Sequence, residues 1–371
     1  MRQTHKYSRL TLALASALLC GAAQAENITY PGAALQSTML VGTSPHQNVL
    51  APTTGTAANN TVTVGSLVTS VAPWNIFGGW HGTEKVSKNT VIVKEAVLDR
   101  TFIAGGMGVG ATSYNTVDIS SKSRSATPDT VVVYGSYSQS GSSDWNTVSV
   151  TNRNVTSFVM GGYSHLADNA SSSNNSVVLD NSESMYVYGG LNNNMNEGSK
   201  TVAHNNTVTL KNGSSAMYVF GGAGEFANGN TINIQDSTVT AAISAGVGTS
   251  GEANNTVSIS GKSVLNNAVI FGGMFHKTGN TLQMHTSGVT AGDIANFENL
   301  HFYLPNNIAN GDTVLTLDGQ AFGTPTDITG ANIGVAVTGG KAALQPGDRI
   351  TLITQSLGLP QMPNQSTTPA A

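Results

Sequence analysis

Asn206-Thr207-Val208-Thr209-Leu210, followed shortly by Val219-Phe220-Gly221-Gly222, is a unit that recurs along most of the chain. Its first half, N-T-V-x-V in the clearest copies, begins at Asn60, Asn89, Asn115, Asn146, Asn175, Asn206, Asn230, Asn255 and Asn280, at intervals of 29, 26, 31, 29, 31, 24, 25 and 25 residues. Its second half is a β-branched residue, a variable residue and a pair of small residues, as in Ile76-Phe77-Gly78-Gly79 or Val187-Tyr188-Gly189-Gly190. It follows each of the first eight copies, with its first small residue 14 to 20 positions after the Asn. Both halves alternate with period 2 and are rich in β-branched residues, and Ser/Asn/Gly/Asp clusters separate them, so they read as strands joined by turns. The class is all-β.

A repeat of 24 to 31 residues made of two strands cannot bury its apolar face alone. Stacked as coils of a right-handed parallel β-helix, about nine in number, identical positions fall about 4.8 Å apart. Val62 and Val64, with Val208 and Leu210 or Ile232 and Ile234 after them, then line the interior, and Thr61, Thr90, Thr116, Thr147, Thr207, Thr231, Thr256 and Thr281 form an outer column. The Asn residues are placed to form an amide ladder, as stacked Asn does in cross-β structures. The glycine pairs predict sharp corners or close backbone approach, and the longest intervals predict protruding loops at 139–145 and 192–204. A β-sandwich or propeller fits less well, because hairpins prefer short tight turns and propeller repeats are longer.

The ends differ from the repeat. Arg2, Lys6 and Arg9 precede an apolar run from Leu10 to Ala23 that ends in Ala23-Gln24-Ala25, the pattern of a secretory signal peptide cleaved between Ala25 and Glu26. The run is too short to span about 30 Å of hydrocarbon. Acylation at Cys20 is disfavoured by the bulky Leu19 before it. The expected division is a signal peptide at 1–25, a lead-in or cap at 26–58, the repeat solenoid at 59–295, a C-terminal β cap or pre-barrel-like section at 296–357 that closes the stack, and a disordered tail at 358–371.

Removing the leader leaves no cysteine, hence no disulfide, and 13 basic against 20 acidic residues, a formal charge of −7. That balance makes nucleic acid an improbable partner. Only 10% of residues are charged while 42 are Gly, so the polar surface comes mainly from Asn, Ser and Thr and suits neutral hydrogen-bonded contacts.

Motifs for chemistry are sparse. Glycan-cleaving β-helices need clustered acidic or basic groups, and here the acids are scattered, with Glu95 and Asp99 or Asp312 and Asp318 the pairs that spacing allows to meet. No H-x-x-x-H spacing suggests a metal, no G-x-S-x-G elbow a nucleophile, and Gly106-Met107-Gly108-Val109-Gly110-Ala111 lacks the helix a dinucleotide loop needs. No catalytic residue, metal or cofactor is assigned. One binding candidate stands out: with Val133, Val187, Val219 and Ile270 inside, Tyr134, Tyr188, Phe220 and Phe271 face outward as a partial aromatic row suited to stacking on sugar rings or packing on a partner. The Thr column also raises ice binding, which needs a flat array of paired Thr columns.

Together the leader, the N-T-V-x-V and V-Y-G-G units, the cysteine-free mature chain and the segments NGDTVLTLDG (310–319) and LQPGDRITLI (344–353) resemble the passenger domain of bacterial autotransporters. The resemblance spans roughly 26–355. It implies passage through the outer membrane of a Gram-negative-type bacterium, folding outside, and a non-catalytic role in adhesion, aggregation or biofilm formation through glycan or protein ligands on host or neighbouring cells. A translocator barrel needs many strands of about 9 to 11 residues, and the residues after Asn296 are too few, so the outer-membrane translocator is not present in this chain. The alternative is a secreted β-helix polysaccharide lyase or glycoside hydrolase.

Overall fold

The computed structural model describes residues 27–30, 39–41, 57–65, 75–82, 85–95, 98, 101–124, 128–319, 326–338 and 344–356. The leader with Ala25 and Glu26, most of the lead-in, and the tail at 358–371 lie outside them. The described chain is all-β, a parallel β-solenoid of about nine turns.

The first half of each repeat unit forms one long sheet. It starts with Asn27–Tyr30, runs through Thr61–Val64 and its repeats to Thr281–Met284, and ends with Asn299–Leu304 and Asn332–Val337, twelve parallel strands in sequence order. The second half forms the facing sheet, from Met39–Val41 through Glu183–Asn192 and Ser215–Phe226 to Thr351–Gln355. Four two-residue strands, Ala57–Ala58, Val86–Ser87, Thr112–Ser113 and Ser143–Asp144, make a short third face on the N-terminal coils. The segment 139–145, expected to protrude, feeds this third face, where Gln139 and Ser140 donate N–H bonds to Gly108 and Val109 of the preceding coil.

Register is strict. Val62 pairs with Val91, Val117, Val148, Val177, Val208, Ile232, Val257, Leu282 and Leu300 in turn. All are fully buried, as are Val64 and its partners through Met284 and Phe302. Each such side chain contributes about 1.5–3 kcal/mol of burial, and none obtains it without the coils above and below.

Beside this core runs the amide ladder. From Asn60 to Asn280, each Asn Oδ1 after the first accepts the backbone N–H of the preceding ladder Asn at 2.9–3.0 Å and its side-chain N–H at 2.9–3.2 Å. In Asn89, Asn175, Asn206, Asn230 and Asn255 the second amide hydrogen goes to a backbone carbonyl of the turn, for example from Asn206 to Ser172 at 3.0 Å and from Asn230 to Ala203 at 2.9 Å. These groups are buried, so the ladder satisfies donors and acceptors that would otherwise cost about 1–3 kcal/mol each.

The ladder explains the glycine pairs. None of them has positive φ, so they are not corners of unusual backbone; they are the close approach. A Cβ on Gly189 would press on the Gly221 carbonyl and lie 2.7 Å from Asn206 Cβ, and one on Gly190 would lie 2.8 Å from Asn206 Nδ2. Asn and Gly-Gly recur together because the ladder Asn and neighbouring backbone carbonyls, of Gly221 at Gly189 and of Ser172 at Gly190, together fill the space a side chain would need. Gly189→Ala is therefore expected to cost about 1–3 kcal/mol, read from the denaturation midpoint; an unchanged midpoint would show that the site admits a methyl group.

The corners of unusual backbone stand elsewhere. In all nine coils that carry a ladder Asn the residue before it has φ between 54° and 66°: Asn59, Lys88, Tyr114, Trp145, Asn174, Asn205, Gly229, Asn254 and Gly279. Asn and Gly tolerate this conformation; bulky side chains pay about 1 kcal/mol or more.

The section at 296–357, expected to close the stack, contributes two strands to each long sheet. Asn299–Leu304 pairs in parallel with Thr281–Met284 and Asn332–Val337, and Thr313–Leu317 pairs with Thr351–Gln355. The ladder stops at Asn280, whose amide turns to the carbonyls of His276 and Asn296. Past it the core is kept by period-2 alternation alone, and Ile333, Val335, Leu352 and Ile353 pack half-buried on its end.

Candidate functional site

The aromatic row sits on the outer face of the second sheet. Val133, Val187, Val219 and Ile270 are fully buried, and Tyr134, Tyr188, Phe220 and Phe271 are half-buried on the opposite side. In register the column reads Phe77, Ala104, Tyr134, Met160, Tyr188, Phe220, Ser244, Phe271. The structure thus brings Tyr188 and Phe220 together, with centroids 4.6 Å apart and planes within 18°. Met160 separates them from Tyr134, and Ser244 separates them from Phe271.

Two neighbours of this row were not singled out in the sequence. Phe158, Tyr186 and Tyr218 form a second stack at 4.9 and 5.0 Å, two residues upstream on the same face. The signal for it is the i, i+2 pairing in Tyr186-x-Tyr188 and Tyr218-x-Phe220, which puts both aromatics of each coil on one side. Toward the N-terminus Tyr134 joins Phe102, Tyr137 and Tyr163 with centroids 5.0–5.8 Å away, and the Tyr163 hydroxyl meets His165 Nδ1 at 2.8 Å.

Coil spacing dictates what this face offers. Where rings in successive coils stack parallel they cover one another's faces, so a ligand meets ring edges and hydroxyls there. Burial, with Tyr186 beside it, pushes the Tyr188 phenol up to about 12, and burial with Tyr137 does the same for Tyr163. Both remain hydrogen-bond donors across the physiological range.

The outer face of the first sheet is a hydroxyl column: Thr61, Thr90, Thr116, Thr147, Ser176, Thr207, Thr231, Thr256 and Thr281 in register. Beside it stand Thr63, Ile92, Asp118, Ser149, Val178, Thr209, Asn233, Ser258 and Gln283, a mixed column and not a second Thr array. The face suits hydrogen-bonded contact with a hydroxylated surface better than a regular ice lattice.

The carboxylates are mostly committed to backbone. Buried Glu225 accepts the N–H groups of Gly198 (3.0 Å) and Lys200 and the hydroxyls of Ser199 (3.2 Å) and Ser250 (2.9 Å), and these bonds, that of Gly198 first, hold it below the usual carboxylate range. Glu252 accepts from Gly248 and Phe275 at 2.6 Å and from His276 at 2.8 Å. Asp129 pairs with Arg153 at 2.7 Å. Asp312 and Asp318 flank the strand Thr313–Leu317, which holds them about 20 Å apart, too far for a catalytic pair. Asp99 lies outside the described residues. Gly106 and Gly108 belong to the strand Thr101–Gly108, with no helix after it. Among the described residues no three His, Cys, Asp or Glu side chains come together to hold a metal.

Glu225 pins the segment 192–204, whose centre is exposed. Because its folded pKa is depressed, its contribution is present above the unfolded value of about 4.3 and is lost as pH falls through the folded one. Amide exchange at Gly198 and Lys200, corrected for intrinsic rates, is expected to accelerate in acid, and Glu225→Gln to accelerate it at neutral pH. Unchanged exchange of both amides in Glu225→Gln at neutral pH would refute the pin.

No family model, curated protein or solved structure matches this chain.

Proposed function

We propose that the chain is an exported, autotransporter-like surface passenger that acts in adhesion, aggregation or biofilm formation without catalysis. The observation that carries this reading is the long first-sheet face: twelve parallel strands give a rigid surface about 50 Å long, and one outer column presents a hydroxyl in each of nine successive coils. Such a face makes many weak, neutral hydrogen bonds in parallel, which suits attachment to glycans or proteins on another cell. The leader pattern and the pre-barrel-like segments support export and outer-surface display.

The test is made in the native organism. Fractionation with sequencing of the mature N-terminus, together with reading of the gene past its downstream end, is expected to place the protein outside the cell with its chain starting at Glu26 and a translocator encoded with it or nearby. Deletion of the gene is expected to reduce attachment or aggregation. A cytoplasmic chain that keeps its first 25 residues, or unchanged attachment after deletion, would overturn the reading.

A further inference from the structure

Of the nine left-handed corners, six carry Asn or Gly, the residues that conformation tolerates. The three exceptions, Lys88, Tyr114 and Trp145, are consecutive coils. They are in step, since Lys88 N–H bonds the carbonyl of Ser113, Tyr114 N–H that of Asp144, and Trp145 N–H that of Ser173. Tyr114 and Trp145 are the two aromatic residues with positive φ among the described residues.

Core packing does not repay their strain. Tyr114 is 50% and Trp145 52% exposed, unlike the half-buried rings of the second sheet. Their planes lie within 5° and their centroids 6.0 Å apart, and the Lys85 ammonium stands 5.8 Å from the Tyr114 centroid. Lys85 and Lys88 are both exposed. In a chain with 16 basic residues among 371, two lysines beside one exposed aromatic pair are a local concentration of positive charge. Among the described residues the adjoining acid is Asp144, which turns its carboxylate to the Ser173 N–H at 2.7 Å; Glu84, next to Lys85 in the sequence, lies outside the described residues. Strained, exposed side chains held by a rigid scaffold point to binding.

We propose that this corner is a saccharide subsite for a uronate-containing polysaccharide. A pyranose ring packs across the exposed edges of the stacked Tyr114 and Trp145 pair, and a carboxylate of the saccharide chain is met by Lys85 and Lys88. The proposal rests on the adhesive reading of the chain and names the ligand class for it.

The full chain, purified after export, is titrated with oligogalacturonate, oligoalginate and hyaluronate fragments and with their methyl-esterified, neutral counterparts, following tryptophan fluorescence and calorimetric heat. At least one acidic oligosaccharide is expected to bind, with its ester about tenfold weaker or more. Lys85→Gln combined with Lys88→Gln should weaken the acidic ligand to a similar degree. Trp145→Asn should abolish binding with Tm unchanged or raised, because Asn relieves the corner; a purely structural Trp would lower Tm on replacement. No binding of any acidic fragment, equal binding of acid and ester, or wild-type binding by Trp145→Asn would each overturn the subsite. Cells displaying Trp145→Asn separate the two levels: wild-type attachment sinks the corner and leaves the adhesive reading standing, whereas wild-type attachment by cells lacking the gene sinks that reading.

Discussion

Asn206→Ala is expected to lower stability by about 3–6 kcal/mol, a loss comparable with the whole stability of many domains. The figure follows from the bonds. Asn206 Oδ1 accepts the backbone and side-chain N–H groups of Asn175, and its own amide donates to Asn230 Oδ1 and to the Ser172 carbonyl. Truncation leaves two donors and a carbonyl unpaired in a site with no exposure, each costing about 1–3 kcal/mol. The coils on either side then lose their amide link, so the damage should appear as local opening near 175 and 230 before global unfolding. Hydrogen exchange at Asn175 and Asn206 reads this directly, and a loss below about 1 kcal/mol would mean that water replaces the ladder bonds. Asn206→Asp is the sharper variant. Its carboxylate keeps the acceptor toward Asn175 but cannot donate to Ser172 or Asn230, so it should also fail at neutral pH, with partial recovery in acid as protonation restores one donor.

This ladder was legible because it uses one residue type at one place in every coil. The strands on both sides of Asn206 share its alternation, and Val208 and Leu210 must face inward once Asn206 does. The role of the glycines was only half legible: the spacing from Asn to Gly-Gly varies, so nothing in one dimension shows that Gly189 and Gly190 lie against Asn206. The C-terminal coils are hard to read in the sequence for a related reason. Phe302 takes the core place held by Ile259 and Met284, and the ladder has ended at Asn280, so the repeat vanishes from the sequence while the two sheets continue. Outward facing of Tyr188 and Phe220 follows from alternation, but the mutual covering of their ring faces depends on which coils carry aromatics in register. The corner at Tyr114 and Trp145 left a fainter trace, since the preference for Asn or Gly before the ladder residue becomes a rule once the positive φ at that position is seen.

Arg153→Met is expected to cost about 3–5 kcal/mol, the price of leaving a buried carboxylate without its cation. The Arg153 and Asp129 side chains are 4% and 6% exposed and meet at 2.7 Å; Asp129 Oδ1 also accepts the Leu98 N–H at 3.2 Å, and Arg153 Nη1 reaches the Ser121 hydroxyl at 2.7 Å. Burial already raises the Asp129 pKa, with Arg153 opposing it. Removing the guanidinium leaves burial opposed only by the Leu98 N–H bond and lifts that pKa further. The sign then follows: a carboxyl with a folded pKa above its unfolded one is destabilising at neutral pH, and the penalty shrinks as pH falls through the folded value. The variant should therefore gain stability relative to wild type on acidification from pH 7, where most carboxylate losses run the other way. Combining Arg153→Met with Asp129→Asn removes the stranded charge and should recover most of the loss, because the net worth of a buried pair is small even when breaking one side of it is costly. A double variant as unstable as Arg153→Met alone would locate the loss in packing of the arginine stem, and the acid-dependent recovery would then be absent as well.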